Sequence, residues 1–269
     1  LEFRRVLFRS ETVLRSADTL RRERKEALLS IIADLNALFG ADSTNRLEKG
    51  LRSYLGEGPG PTDPQQRPKF FFVPDLPRGP YHDARMQPWA KSLAQAWQEI
   101  RKEAIRLLDC ASNFEDFLGL KPTEVAPDLV GGLAQRPAWD AFFFYRRGKR
   151  FDKHHNLAPT TSELIEAAAL CRLPNQAPEI LFSVLRAQSH IMPHYGTTNA
   201  RLVFHLPLIV PRECSLNIVN HGEHAWREGE PVMFDDTFLH EAWNRSDEDR
   251  VVLLMDCWNP HLKIGRAHV

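Results

Sequence analysis

Four cysteines in 269 residues, none of them in a CxxC pair, suggest neither a zinc knuckle nor a dense disulfide framework. Cys110, Cys171, Cys214 and Cys257 lie far apart, which fits a reducing, cytoplasmic setting. No apolar run approaches the roughly 20 residues of a membrane-spanning helix, so no membrane segment is expected in this chain. An excess of one charge is also missing: 35 Lys and Arg face 35 Asp and Glu, with no basic block. Nucleic acid and anionic membranes are bound through clustered cations and are therefore not expected as main partners. No fixed-period repeat is present. What the chain does have is 43% hydrophobic content, enough for one substantial core and a smaller appendage.

Both ends look foreign. Arg5-Val-Leu-Phe-Arg-Ser10 can be coded by CGT GTG CTC TTC CGA TCT, and the opposite strand in a shifted frame codes Ile264-Gly-Arg-Ala-His-Val269. Residues 1–10 and 264–269 therefore read like a translated sequencing adapter and are set aside from fold reasoning. They hold four basic residues and one acidic residue, leaving 31 and 34, a mildly acidic remainder. Any signal, anchor or domain beyond these ends is left open.

From Glu11 to about Leu55 apolar residues recur at helical spacing, with Gly40 as a stop and Ser43-Thr44 opening a second helix. Gly56–Pro64 carries too many Gly and Pro residues for a helix or a central strand and reads as a linker. Residues 11–64 thus form a helical segment with its linker, which could pack on the main domain or support a homodimer. Residues 65–263 form the main domain. There, Lys69–Val73 is a strand candidate, and Met86 to about Cys110 reads as one long amphipathic helix. A further helix is expected over Thr161–Cys171. Short strands then dominate: Ile180–Ala187, Ala200–Ile209, Ser215–Val219, Val232–Phe234 and Val251–Trp258. Strands clustered after helices predict a mainly β core with flanking helices, an antiparallel sandwich or barrel.

Of eleven histidines, His82, His154, His155, His190, His221, His224 and His261 sit in polar or loop-like stretches and are expected to be solvated; His268 falls in the adapter. His194 lies at the lip of a strand and His240 follows one, 46 residues later. Two imidazoles from facing strands of a barrel suit Fe(II), whose usual non-haem site adds one carboxylate and keeps positions open. The residue two places after His194 is Gly196, so that carboxylate is missing.

Several ordered segments carry more information. They are Arg67–Pro74, Trp139–Tyr145 with Gly148–Arg150, Ser183, Pro193–Gly196, Thr198–Leu202, His205, Glu228–Phe234, Asp235–His240, Glu241–Trp243, Arg250 and Asp256–Pro260. Together they resemble the aspartyl/asparaginyl β-hydroxylase family from about Arg67 to Leu262. The resemblance implies a double-stranded β-helix, jelly-roll or cupin-like, preceded here by the helical segment. It also implies a dioxygenase that uses Fe(II), O2 and 2-oxoglutarate. Family members bind iron through two histidines with a glycine in place of the carboxylate, which matches His194, Gly196 and His240. No catalytic side chain is expected beyond that metal centre.

By the same resemblance, Arg250 pairs with the distal carboxylate of 2-oxoglutarate, a task that suits a planar guanidinium fork. Ser183 adds a hydrogen bond, and Trp139, Arg201 and His205 complete the cosubstrate pocket. Where the best-known members carry an arginine, this chain has Val203, leaving Arg201 as the nearest cation. Asp235 and Asp236 have two readings, as groups that orient water at the metal or as turn caps before His240. Tyr195 is a candidate for the substrate entrance; Trp97, Trp243 and Trp258 are assigned to packing. The implied substrate is an aspartyl or asparaginyl β-carbon in a peptide or small amino-acid derivative. The alternatives are hydroxylation of a lipid acyl chain, or a non-catalytic carboxylate- or protein-binding module on the same barrel.

Overall fold

A computed structural model describes residues 2–121 and 123–262, with side chains from residue 18 onward except Ala111; the adapter-like residues 264–269 lie outside it. The chain divides into two compact units, one built from residues 1–60 with 71–75, the other from 61–70 with 76–263. In the first, helices α1 (Glu2–Phe39) and α2 (Ala41–Tyr54) meet at Gly40, whose φ of 81° is readily reached without a Cβ. Phe71 and Phe72 press so close on α2 that a Cβ on Gly50 would lie 2.9 Å from each. Among the described residues, no helix is long and apolar enough to cross a membrane.

In the second unit the helices are α3 (Pro88–Gln95), α4 (Trp97–Leu108), α5 (Asp152–Leu157) and α6 (Pro159–Glu166). The strands are β1 (Tyr81–His82), β2 (Glu115–Asp116), β3 (Val130–Gly132), β4 (Trp139–Arg146), β5 (Lys149–Arg150), β6 (Ile180–Leu185) and β7 (Ser189–His194). They continue with β8 (Arg201–Ile209), β9 (Cys214–Ile218), β10 (Gly222–Ala225), β11 (Val232–Phe234), β12 (His240–Asn244) and β13 (Arg250–Trp258). One sheet runs β1-β11-β8-β13-β6-β4-β2, with β5 on β4; the other runs β10-β9-β12-β7-β3.

Successive strands from β6 to β13 pass from sheet to sheet, except that β9 and β10 are hairpin neighbours in the smaller one. Every pairing is antiparallel. The result is a double-stranded β-helix. Its outer sheet face packs Phe142, Phe182, Phe204 and Leu253 against Leu93, Ile100 and Ile165 of the helices. Its lumen is filled by Leu185, Val203, Phe234 and Trp226 from one side and Ile191, Leu216 and Ala242 from the other. Two apolar faces on one large sheet explain why its strands read as nearly continuous hydrophobic runs.

Three local expectations are corrected. Lys69–Val73 forms no strand: only Phe71 makes an isolated bridge, and Pro68 and Pro74 lack the N–H groups that a longer ladder needs. The helix expected over 86–110 divides at Ala96, whose φ of −95° and ψ of 9° leave the helical region. The helix expected at Thr161 starts at Pro159, a residue preorganised for the first turn, and α5 precedes it. His155 and His190 are also not solvated. His155 is buried with its Nδ1 on Ser162 Oγ, and His190 stacks on Trp243 while bonding Glu241.

Candidate metal and anion site

His194 closes β7 and His240 opens β12, and the two are directly paired across the ladder. Their ring centroids lie 4.2 Å apart. Each ring is fixed in the same way: Nδ1 of His194 donates to the Met192 carbonyl (2.8 Å), and Nδ1 of His240 to that of Phe238 (2.9 Å). A carbonyl can only accept, so both rings carry their proton on Nδ1 and leave Nε2 as a lone pair. This is how ligating histidines are oriented. Burial keeps both neutral; it pushes His240 down to about 4, with His194 adding to the effect.

Gly196 has a steric reason. A Cβ there would lie 2.1 to 2.2 Å from the carboxylate of Asp236, whose carbonyl also accepts from the Gly196 N–H (2.6 Å). Asp236 Oδ2 accepts from Arg201 (2.9 Å), which bridges to Asp256 (2.8 Å). Asp236 Oδ1 is buried with no hydrogen-bond partner. Its charge lies close enough to oppose the lowering of both histidines. Asp235 takes the other role, capping the turn through the Thr237 N–H (2.9 Å) and hydroxyl (2.5 Å). Two lone-pair nitrogens beside an open buried carboxylate oxygen fit a divalent metal with two protein ligands. Among the described residues no group of three or more His, Cys, Asp or Glu side chains is arranged to hold one.

The segment from Gln65 to Phe70 crosses both histidine-bearing stretches. Gln65 accepts from Leu239, Arg67 donates to Thr237, and Lys69 and Phe70 donate to Gly196 and Thr197. Gln66 reaches Asp235 and Thr237 through its side chain. Sequence reasoning offered no sign of this role.

Arg250, His205, Ser183 and Trp139 share the inward face of the large sheet. Trp139 and Arg250 flank Leu185 in one ladder row, and His205 sits opposite Leu254. Trp139 Nε1 donates to Ser183 Oγ (2.9 Å), leaving the hydroxyl proton for another acceptor. Arg250 is only 1% exposed and has no ion-pair partner among the described residues. Its Nε is unpartnered, and burial lowers it to about 10. Both ring nitrogens of His205 are buried and unpartnered; burial, then Arg250, hold it well below its ordinary value. An unneutralised buried cation is costly, and an anionic ligand would offset that cost.

Arg201, expected in the same pocket, is engaged instead by Asp236 and Asp256 beside the histidine pair. Val203 projects into the lumen between Asp256 and Phe234. Sequence reasoning missed Trp226, a loop residue with no periodicity to mark it. Its ring lies 4.9 Å from the Arg250 guanidinium and 5.9 Å from the His205 ring.

The family model described as aspartyl/asparaginyl beta-hydroxylase matches residues 94–260. Human aspartyl/asparaginyl beta-hydroxylase is 31% identical over 193 residues, 66% of this chain and 23% of that protein. Human aspartate beta-hydroxylase domain-containing protein 2 is 31% identical over 224 residues, 81% of this chain and 57% of that one. The ornithine lipid ester-linked acyl 2-hydroxylase of Rhizobium tropici is 30% identical over 184 residues, 67% of this chain and 61% of it. The chain thus spans less than two thirds of the length of each of these relatives. With a family match over most of its second unit, the chain belongs to the aspartyl/asparaginyl β-hydroxylase family of hydroxylases.

Proposed function

We propose that this chain is an Fe(II)- and 2-oxoglutarate-dependent hydroxylase acting on the β-carbon of an aspartyl or asparaginyl residue, or of a related small amino-acid derivative. The observation that carries the reading is Arg250, a buried cation with no counterion among the described residues, in the lumen that also holds the paired histidines. In this reading His194 and His240 would hold the metal through Nε2. With iron and O2 bound, 2-oxoglutarate is converted to succinate and CO2 while one oxygen atom enters a substrate C–H bond.

The chain's own residues bind, orient and exclude water. Arg250 and Ser183 take the distal carboxylate, Arg250 through charge-assisted hydrogen bonds. Trp139 and His205 border the same space. Arg201 acts through Asp236, holding Oδ2 and leaving Oδ1 free to accept a hydrogen bond from water near the histidine pair. The exposed Leu20, Ile31, Leu38 and Phe39 of α1 favour a homodimer through the helical unit.

A second reading, hydroxylation of a lipid acyl chain, is favoured by the Rhizobium relative and by apolar Val203 in the lumen. Anaerobic loading with Fe(II) and 2-oxoglutarate, then oxygen, should release succinate, with the yield rising when the right substrate is present. Aspartyl peptides, free amino acids and acyl lipids are the substrates to compare. No iron binding and no succinate with any of them would leave a non-catalytic binding module.

A further inference from the structure

We infer that Trp226 is a positioning residue of the anion pocket, fixing the plane of the Arg250 guanidinium and closing the space in which a dicarboxylate cosubstrate lies. This rests on the proposed use of 2-oxoglutarate. Trp226 is 4% exposed, reaching the lumen cluster from a loop position outside both β10 and β11. Its ring covers the guanidinium at 4.9 Å. An aromatic ring over a guanidinium occupies one face and leaves the in-plane N–H groups for a carboxylate.

A second observation is independent of the stacking. Trp226 Nε1, Arg250 Nε and both ring nitrogens of His205 are buried without a hydrogen-bond partner. The three side chains are mutual neighbours, with the Trp226 and His205 rings 5.9 Å apart. Buried polar atoms are nearly always satisfied, so unpartnered ones gathered on three adjacent side chains point to a polar ligand among them. The cation makes that ligand an anion. Ser183 and Trp139, already bonded to each other, add no competing charge.

Substitution separates stacking from simple filling. Trp226→Phe keeps a ring over Arg250 and removes the indole N–H; Trp226→Leu removes both. Binding is read anaerobically by calorimetry on the Fe(II)-loaded full chain, with 2-oxoglutarate, 2-oxoadipate (one carbon longer) and pyruvate (no distal carboxylate) as probes. Expected is a loss in 2-oxoglutarate affinity of about tenfold for Trp226→Leu and a smaller loss for Trp226→Phe. Pyruvate binding should be unchanged, and 2-oxoadipate should gain relative to 2-oxoglutarate. In an Arg250→Met background, Trp226→Leu should have no further effect on 2-oxoglutarate.

Equal losses for 2-oxoglutarate and pyruvate, additivity with Arg250→Met, or unchanged 2-oxoglutarate binding would each overturn the role of Trp226. If Trp226→Leu does not fold, Trp226→Phe alone decides by the same comparison. Failure of the unsubstituted chain to bind 2-oxoglutarate while holding iron would overturn the parent reading, and this inference with it.

Discussion

Asp236 occupies the space that any side chain on residue 196 would need. A Cβ built there would fall 2.1 Å from the carboxylate carbon and 2.2 Å from both of its oxygens. Arg201 holds that carboxylate in place from the far side. The glycine two residues after His194 is therefore enforced by packing, and Asp236 supplies the negative charge that position 196 lacks.

The first prediction follows from this pair. Gly196→Ala must expel Asp236 from its bond to Arg201 or displace His194. Metal affinity should fall by about tenfold or more, read by calorimetric Fe(II) titration under anaerobic conditions. Affinity equal to that of the unsubstituted chain would mean that Asp236 moves aside cheaply and does not support the site.

His240→Ala and His194→Ala should each abolish measurable Fe(II) binding, because in the proposed site the metal is held by these two side chains. Arg250→Ala should leave metal binding intact and weaken 2-oxoglutarate by about thirtyfold or more, as expected for loss of a buried charged hydrogen-bond partner. Full turnover by His240→Ala would refute the assignment of the pair.

Two buried arginines should respond oppositely to the same change. Arg201 is neutralised by Asp236 and Asp256, so Arg201→Met strands two buried carboxylates and should cost about 3–5 kcal/mol of folding stability. Among the described residues Arg250 has no such partner, so Arg250→Met should leave the ligand-free chain as stable or more so, by about 1–4 kcal/mol. Urea unfolding of both variants without 2-oxoglutarate decides it; a loss from Arg250→Met as large as that from Arg201→Met would contradict the reading of Arg250 as uncompensated.

Stability of the metal-free chain should depend on pH through its buried histidines. His240 and His82 are each pushed down to about 4 by burial, against an ordinary value of 6.5. Between those values the unfolded chain binds protons that the folded one refuses, so their contribution is complete above 6.5 and is lost as pH falls toward 4. Asp235 and Glu179, raised by burial to about 6 and about 7, work in the opposite sense and offset the loss. The contribution of one histidine is therefore read by comparison: His82→Phe should lose less stability, or gain more, than the unsubstituted chain between pH 7 and pH 4.5. The same pH dependence of the denaturation midpoint in both chains would contradict the shift of His82.

Strands β6, β8, β11 and β13 of the large sheet were legible because each is almost wholly buried and so reads as an apolar run bounded by turns, whereas the equally apolar β4 and the two-residue β1, β2 and β5 were not expected. The strands that carry the histidines were not: Ser189–His194 and His240–Asn244 alternate lumen side chains with a polar outer network of His190, Glu241 and Asn217. Such short mixed segments look like loops. The histidine pair itself, Ser183, His205 and Arg250 were found through ordered motifs. Trp226 carries no local pattern and was invisible, and Arg67–Phe70 was marked only as part of a motif, with nothing to show that it crosses both histidine-bearing stretches.

The sequence by itself thus determined the β core and the helical front and singled out His194 and His240, because periodicity, turn chemistry and motif order are local. Only the tertiary structure decided which charges are spent. Arg201 and Arg250 look alike in the chain, yet one is neutralised by two carboxylates drawn from Asp236 and Asp256 while the other is buried alone beneath Trp226. Charge compensation depends on partners brought together across strands. The missing carboxylate at Gly196 turned out to be a matter of space already taken by Asp236.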